Sequence, residues 1–476
     1  MEIQKKTKIV ATIGPATESE EKLSALLKAG LNVMRINFSH GDFVEHQKKV
    51  DNFRKAVAKT GIAGAILQDL GGPKIRIGDF KAGSIVLKEG QKFTITTDKV
   101  EGDENKVSVN YPHFAKEVLK GHIVFLHDGR KKLEVLDVKG NDVICKVIIG
   151  GEIKGRRGVN LPHSDLSISS MTDKDRADVE FGIKNKVDFV ALSFVRRPSD
   201  ITELRDILNA KKCKAKIIAK IETPQALANI DEILKLTDGV MVARGDLAIE
   251  IPAENVPVAQ KMLVSKCNDL GKPIIVATQM LESMIKSPVP TRAEVSDIAN
   301  AVFDGADAVM LSEETALGDF PVEAVSMMTR VACKVENDHL YLKTEKAKRH
   351  MKGPAMNVSD AITSETVDLA ERINAKCIVA LTRSGLTALM VARYKPQQPL
   401  IAFTPCEITA RQLLLSFGCN PIINKDSTTF EGAMNEVRKF AIKQGLAKKG
   451  DKVVVVAGTP FNKKGIETNL LWVETV

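Results

Sequence analysis

Lys220 and Glu222 close the apolar run "KIIAKIE" (216–222). Side chains two apart on a strand point the same way, so a cation and a carboxylate are aimed at one spot. Either they cancel as an ion pair, or they serve a ligand together. Similar polar endings recur after other apolar runs: Arg35, Asn37, Ser39 and His40; Asp69; Arg244, Gly245 and Asp246; Thr278 and Gln279; Ser312, Glu313 and Glu314. Polar groups inside buried strands are costly unless a site needs them. Glu222 and Asp246, on neighbouring strands, suit a hard cation such as Mg²⁺, which takes one or two carboxylates plus substrate oxygens. Arg35 and Lys220 bring positive charge to the same place. Cations and a metal around one point fit an anionic substrate, and a phosphoryl group in transfer is the leading candidate.

Taken singly, each residue also has a structural reading. Lys220 and Glu222 can be a simple ion pair, Asp246 a turn residue, Arg35 a rim brace, Thr278 strand filling and His40 a turn or helix-start residue. The repetition of polar groups at one end of successive strands is what favours a site.

The elements that must position these groups alternate. Strand-like runs begin in "KIVATIG" (8–14), "NVMRINFSHG" (32–41), "GAILQDLGG" (64–72), "VDFVALSF" (187–194), "KIIAKIE", "DGVMVARGD" (238–246), "PIIVATQ" (273–279) and "ADAVMLSEE" (306–314). Helix-like text follows each of them. Thr17 with Glu20 and Thr291 with Glu294 have capping-box spacing, Gly30 reads as a stop, and Thr223–Pro224 as a cap and first-turn pair. Residues 73–160 break the pattern with Val-, Ile- and Thr-rich strands and Asp-Gly and Gly-Asn turns. Removing them leaves roughly 250 residues of alternating text, the usual size of a (β/α)₈ barrel. An open doubly wound sheet is the alternative, without a glycine-rich dinucleotide fingerprint at its first turn.

The expected organisation is therefore a (β/α)₈ TIM barrel over 1–72 and 161–337, an inserted all-β domain over 73–160, and a C-terminal α/β domain over 338–476. The polar stretch "DHLYLKTEKAKRH" (338–350) reads as the linker. In such barrels working residues sit at the C-terminal strand ends, where the polar endings fall.

Composition excludes several classes. The 476 residues, 44% hydrophobic and 27% charged, are those of an ordinary globular protein of several domains. No run approaches a membrane span, and the N-terminus has no secretory pattern. Cys145, Cys213, Cys267, Cys333, Cys377, Cys406 and Cys419 are scattered and odd in number, which argues against a zinc site or disulfide framework and fits a reducing cytoplasm. The net charge of +9 comes without a nucleic-acid motif, so small phosphorylated ligands are the expected partners rather than nucleic acid.

The segments "TKIVATIGPAT", "NVMRINFSHG", "GVNLP", "AKIET", "DGVMVARGDLAIEIP", "ATQMLESM" and "PTRAEVSDIANAVFDGADAVMLSEETALGDFP" closely resemble pyruvate kinases. The resemblance spans essentially the whole chain. It implies phosphoryl transfer from phosphoenolpyruvate to ADP, giving pyruvate and ATP, the final step of glycolysis. By that analogy Lys220 neutralises the phosphoryl group in the transition state, Glu222 and Asp246 hold Mg²⁺ (or Mn²⁺), and Gly245, Asp246, Thr278 and Arg35 contact substrate. Thr278 also belongs to the region that protonates the enolate. Asn37, His40, Arg76 and Arg157 take the nucleotide, with a second Mg²⁺ arriving on ADP. The β insert closes as a lid. A homotetramer is also implied.

Two departures matter. K⁺-dependent members use groups matching Asn37, Ser39 and Asp69 together with a threonine where this chain has Leu70, and carry glutamate where it has Lys74. An ammonium is a compact monovalent charge, so Lys74 is expected to replace K⁺ at a vestigial site. Glu313 stands where glycine is common. In the last domain, Thr382, Arg383, Ser384, Gly385 and Thr387 resemble the effector loop and could cradle a phosphate or simply cap a helix. Leu386 and "TPFNKKGIETN" depart from some regulated members, leaving a sugar monophosphate, AMP, a bisphosphate or no effector as alternatives. A metal-dependent aldolase and a non-catalytic binding protein are the competing readings. Lys220, Arg35 and the lid weigh against the first; retention of every charged site residue weighs against the second.

Overall fold

The computed structural model describes residues 5–351, 357–424, 429–460 and 465–476. Eight parallel strands close a barrel: β1 (Lys8–Thr12), β2 (Val33–Asn37), β3 (Ala65–Asp69), β4 (Phe189–Leu192), β5 (Lys216–Ile221), β6 (Gly239–Ala243), β7 (Ile274–Ala277) and β8 (Ala308–Leu311), with β8 paired back onto β1. The (β/α)₈ reading holds strand for strand.

Strand parity decides what faces where. On β5, Ile217, Ala219 and Ile221 pack outward under the helices, whereas Ile218 joins the barrel interior. Lys220 and Glu222 share the parity of Ile218, so both point inward. The same holds on β2, where Val33 is interior and Arg35 follows two residues later, and on β3, where Ala65 and Leu67 lead to Asp69. The interior is thus apolar at its floor and charged at its C-terminal mouth. Leu414 and Leu415, from the last third of the chain, plug the floor.

Residues between β3 and β4 form the β insert. Its six-stranded sheet runs in the order Val159–Asn160, Ile123–Leu126, Lys131–Lys139, Asp142–Ile149, Lys92–Thr96, Lys106–Ser108, around a core separate from the barrel's. The two connections run side by side, Ile77 N donating to Arg157 O and Val159 N to Ile75 O. The C-terminal sheet, in the order β11 (Cys419–Ile423), β10 (Leu400–Thr404), β9 (Ile378–Leu381), β12 (Lys452–Ala457), β13 (Leu470–Thr475), is parallel except for its last strand. It is tied to the barrel by buried Lys395 on Asp307 (3.1 Å) and by Arg411 on Asp188 (2.7 Å).

The linker segment 338–350 is helical: helix His339–Met351 forms there, with Tyr341 buried edge-on against Phe303. One local expectation is corrected. The first helix is capped by Ser19, whose Oγ accepts from Lys22 N, while Thr17 donates instead to Thr315 O. The Thr291–Glu294 capping box and the Thr223 cap form as expected. Part of "TPFNKKGIETN", residues 461–464, lies outside the described residues.

Leu415 is fully buried in the barrel floor. Leu415→Ala should cost about 2–5 kcal/mol, read as an earlier urea midpoint; an unchanged midpoint would show that the plug does not support the floor.

Candidate active site

Lys220 is the centre of the mouth. Its Nζ donates to Ser193 Oγ (2.7 Å) and lies 2.9 Å from Glu222 Oε1 and 3.4 Å from Asp69 Oδ1. Burial works against its charge, but Asp69, Glu222 and Asp246 outweigh that and hold the ammonium protonated well above the ordinary lysine range. Asp69 is shared. Burial pushes its acidity the other way, yet Lys220 and Arg35 keep it ionised below the usual range, with Arg35 Nε 2.7 Å from Oδ2. Arg35 is fixed further by donating from Nη1 to Thr12 Oγ1 (2.7 Å). Two cations and two carboxylates are therefore packed into one buried cluster.

Glu222 Oε2 accepts from Phe194 N at 2.7 Å. Burial raises its pKa, and Asp246 adds to the rise against the pull of Lys220. Two carboxylates that disfavour each other's charge are a donor set for a hard divalent cation. Among the described residues no group of three His, Cys, Asp or Glu could hold a metal. A Mg²⁺-type ion fits two carboxylates whose remaining coordination comes from substrate oxygens and water.

The rim carries backbone strain. Thr278 and Gln279, just past β7, have φ of 72° and 55°, and Phe194, past β4, has 53°, values uncommon for residues other than glycine. Each aims a polar atom. Thr278 Oγ1 accepts from Gly245 N (2.8 Å) and donates to Ala277 O (2.6 Å). Arg244 does not face the mouth: it grips Asp297 through both terminal nitrogens and donates to Ala277 O and Thr278 O, bracing β6 against β7. Glu314 is likewise a brace, accepting from Leu281 N and Ser312 N, and Gln279 donates to Glu282.

A cavity of about 270 Å³ lies between barrel and insert. It gathers His40, Lys74, Arg76, Arg157 and Asp246, so the expected nucleotide residues other than Asn37 converge on one space. Arg157 Nε is a buried donor without a partner among the described residues. His40 is made less basic by burial and then by Lys74, Arg76 and Arg35, with exposed Glu313 opposing. Lys74 keeps part of its side chain in solvent while lining the cavity, and is less basic than usual. Burial and Lys220 lower it, while Asp246 and Glu222 support its charge.

Asn37 pairs in register with Asp69 across β2 and β3, and its Oδ1 accepts from Ser39 N. Leu70 is out of phase with them: its side chain is buried in the helix-facing core, and its carbonyl accepts from Ser193 Oγ (2.7 Å).

The candidate effector residues meet a separate cleft of about 1150 Å³, lined by Thr382, Arg383, Ser384 and Thr387 with Arg205, Lys214 and Lys216 from the barrel. Some of their polar groups are already engaged. Thr382 Oγ1 accepts from Gly385 N, and Thr387 Oγ1 accepts from Thr468. Gly385 has φ of 93°, which explains glycine there.

Sequence reasoning missed Thr12 and Ser193, although parity with Val10 and Ala191 points both inward. It also missed Asn160 and Glu250, joined at 2.8 Å across the cavity. Burial pushes Glu250 up to about 7, an effect Asn160 opposes and the charges of Asp246 and Glu222 reinforce.

Residues 4–325 match the family model for the pyruvate kinase barrel domain, and residues 360–474 that for the pyruvate kinase alpha/beta domain. A pyruvate kinase of Geobacillus stearothermophilus is 46% identical over 100% of this chain and 81% of its own length. One from Clostridium perfringens is 44% identical over 99% of this chain and 100% of its own. The crystal structure of a pyruvate kinase from Cryptosporidium parvum superposes with a TM-score of 0.94 at 38% identity, covering 99% of this chain and 96% of that one. With barrel, insert and C-terminal sheet all accounted for, the chain belongs to the pyruvate kinase family.

Proposed function

We propose that the barrel mouth carries out the family's reaction, phosphoryl transfer from phosphoenolpyruvate to ADP, through the residues described above. The observation that carries the assignment is Lys220: a buried ammonium kept protonated by Asp69, Glu222 and Asp246. A fixed cation of this kind stabilises charge that builds on a phosphoryl group in flight, in a site from which water is largely excluded. Arg35, locked between Asp69 and Thr12, presents a second cation without having to reorganise. Thr278 and the Gly245 amide hold each other at the substrate edge of the mouth. His40, Arg76, Arg157 and, from β2, Asn37 receive the nucleotide phosphates. Glu222 and Asp246 would hold Mg²⁺, which when bound polarises the phosphoryl and enolate oxygens.

Lys74 stands in for a monovalent cation. Support comes from the charges of Asp246 and Glu222, which favour a cation at Lys74 against burial and Lys220, and from Leu70, whose side chain is turned into the core. The cleft around Thr382, Arg383, Ser384, Gly385 and Thr387 takes a small phosphorylated effector, such as a sugar phosphate or AMP. Family membership further supports a homotetramer working in the cytoplasm; no helix among the described residues is long and apolar enough to cross a membrane.

Lys220→Met should lower kcat by about a thousandfold or more in an assay coupling phosphoenolpyruvate and ADP to pyruvate reduction, with circular dichroism retained. Near-normal turnover would remove Lys220 from the mechanism. Omitting K⁺ should change the rate by less than about twofold, since a lysine ammonium is itself a compact monovalent cation, and Lys74→Glu should create a K⁺ requirement. A large loss in K⁺-free buffer for the unaltered chain would refute the substitution. Because Glu222 holds its proton to a higher pH than a free glutamate, divalent-ion affinity should fall as pH drops through that raised pKa. Mn²⁺ titration by electron paramagnetic resonance checks this without turnover; affinity flat down to the ordinary glutamate range would show that burial and Asp246 do not hold the Glu222 proton.

A further inference from the structure

The helix Arg244–Glu250 meets the inserted domain at two points. Near its end, Glu250 Oε1 accepts from Asn160 Nδ2 at 2.8 Å. One residue earlier, Ile249 lies under the tight turn of the insert at Gly129: a Cβ on that glycine would come within 3.5 Å of the isoleucine side chain. Gly129 has φ of +80°, so a larger residue there would be strained as well as in contact.

Asn160 is a strategic donor. Its backbone pairs with Phe125 inside the insert's sheet, and it directly follows Val159, whose amide donates to Ile75 O on the outgoing connection. It therefore sits where the insert's sheet joins both hinge segments. Glu250 is equally placed on the barrel side. It lies four residues, about one helical turn, after Asp246 and on the same helix face. Both carboxylates line the cavity. A hydrogen bond in such a half-buried setting is stronger than the same bond in water, and either partner left alone there is costly.

We propose that Glu250 and Asn160 are positioning residues that latch the inserted domain's return strand to the helix bearing Asp246, so that seating of the lid and placement of the metal-binding carboxylate move together. Neither residue touches the reacting atoms. The latch deepens the functional reading above and rests on it for its catalytic consequence. Its mechanical part stands on the two contacts alone. With the latch made, the cavity walls that carry Arg157 and Asp246 are held at a fixed separation. With it broken, the insert swings on its paired connections, and the nucleotide and metal groups lose their common frame.

The test compares Glu250→Ala, Asn160→Ala, the double variant and Glu250→Gln in the full-length chain. Each single alanine change should lower kcat roughly tenfold, the scale of leaving one half-buried polar group without its partner, with a smaller change in KM for phosphoenolpyruvate. The double variant should fall no further than the worse single one. Glu250→Gln keeps an oxygen acceptor for Asn160 and should recover most of the rate. Amide hydrogen exchange over residues 127–131 and 157–161 should quicken in both alanine variants and return towards the unaltered rate in Glu250→Gln, with thermal midpoints showing that all fold. Losses that multiply in the double variant, or a Glu250→Ala rate within about twofold of the unaltered chain with unchanged exchange, would overturn the latch. If the unaltered chain transferred no phosphoryl group yet both alanine variants lost exchange protection, the functional reading would fall and the latch would remain.

Discussion

A charged lysine inside a barrel is the constraint around which this mouth is arranged. An uncompensated ammonium in a protein interior is expensive enough to lose its proton. Lys220 keeps it because Asp69, Glu222 and Asp246 surround it and Ser193 accepts from it. Those carboxylates in turn need cations, and Arg35 and Lys220 serve Asp69. Asp246 and Glu222 remain mutually repelling. The cluster therefore has a residual appetite for positive charge beside its carboxylates and for negative charge beside Lys220 and Arg35. A divalent metal and a phosphoryl group satisfy the two together, which is why the same arrangement that endangers stability equips the site.

Most of this arrangement is legible in the sequence because strand parity is strict. Lys220 and Glu222 had to share a face, and Arg35 and Asp69 follow from Val33 and Leu67 by the same count of two. The rule even contained Thr12 and Ser193, which went unread because a lone hydroxyl after an apolar run attracts less notice than a charge. What the sequence did not yield are contacts between distant elements. Nothing local in "GVNLP" points Asn160 at Glu250, ninety residues on. Nor does "DHLYLKTEKAKRH" announce a helix, since its polar composition masks the single tyrosine that anchors it against Phe303. Arg244 shows the converse error: a cation at a strand end that faces Asp297 and braces two strands rather than a ligand.

Charges of both signs meet around the cavity. His40, Lys74, Arg76 and Arg157 come from the second strand's loop and the two hinge segments, Asp246 and Glu250 from one short helix, Asp128 from the insert and Arg196 from the barrel. A polyanion entering this space meets the hinge cations, which otherwise have only the cavity's own carboxylates to face. The weakened basicity of His40 and Lys74 expresses the same crowding: with no anion present, burial and neighbouring cations oppose their charge. Affinity for phosphate oxygens is thus stored as relief of that opposition.

The strained residues at the rim complete the logic. Phe194, Thr278 and Gln279 hold left-handed backbone conformations that cost of order 1–3 kcal/mol each in residues with a side chain. In return Phe194 turns its amide onto Glu222, and Thr278 turns its hydroxyl onto the Gly245 amide. A loop free to relax would abandon both orientations. These cannot, because β4 and β7 are paired on both sides within a closed barrel whose floor is packed solid by Leu414 and Leu415. The apolar floor and the polar mouth are therefore parts of one device: close packing at one end of the strands holds the other end in geometries that the chain alone would not choose.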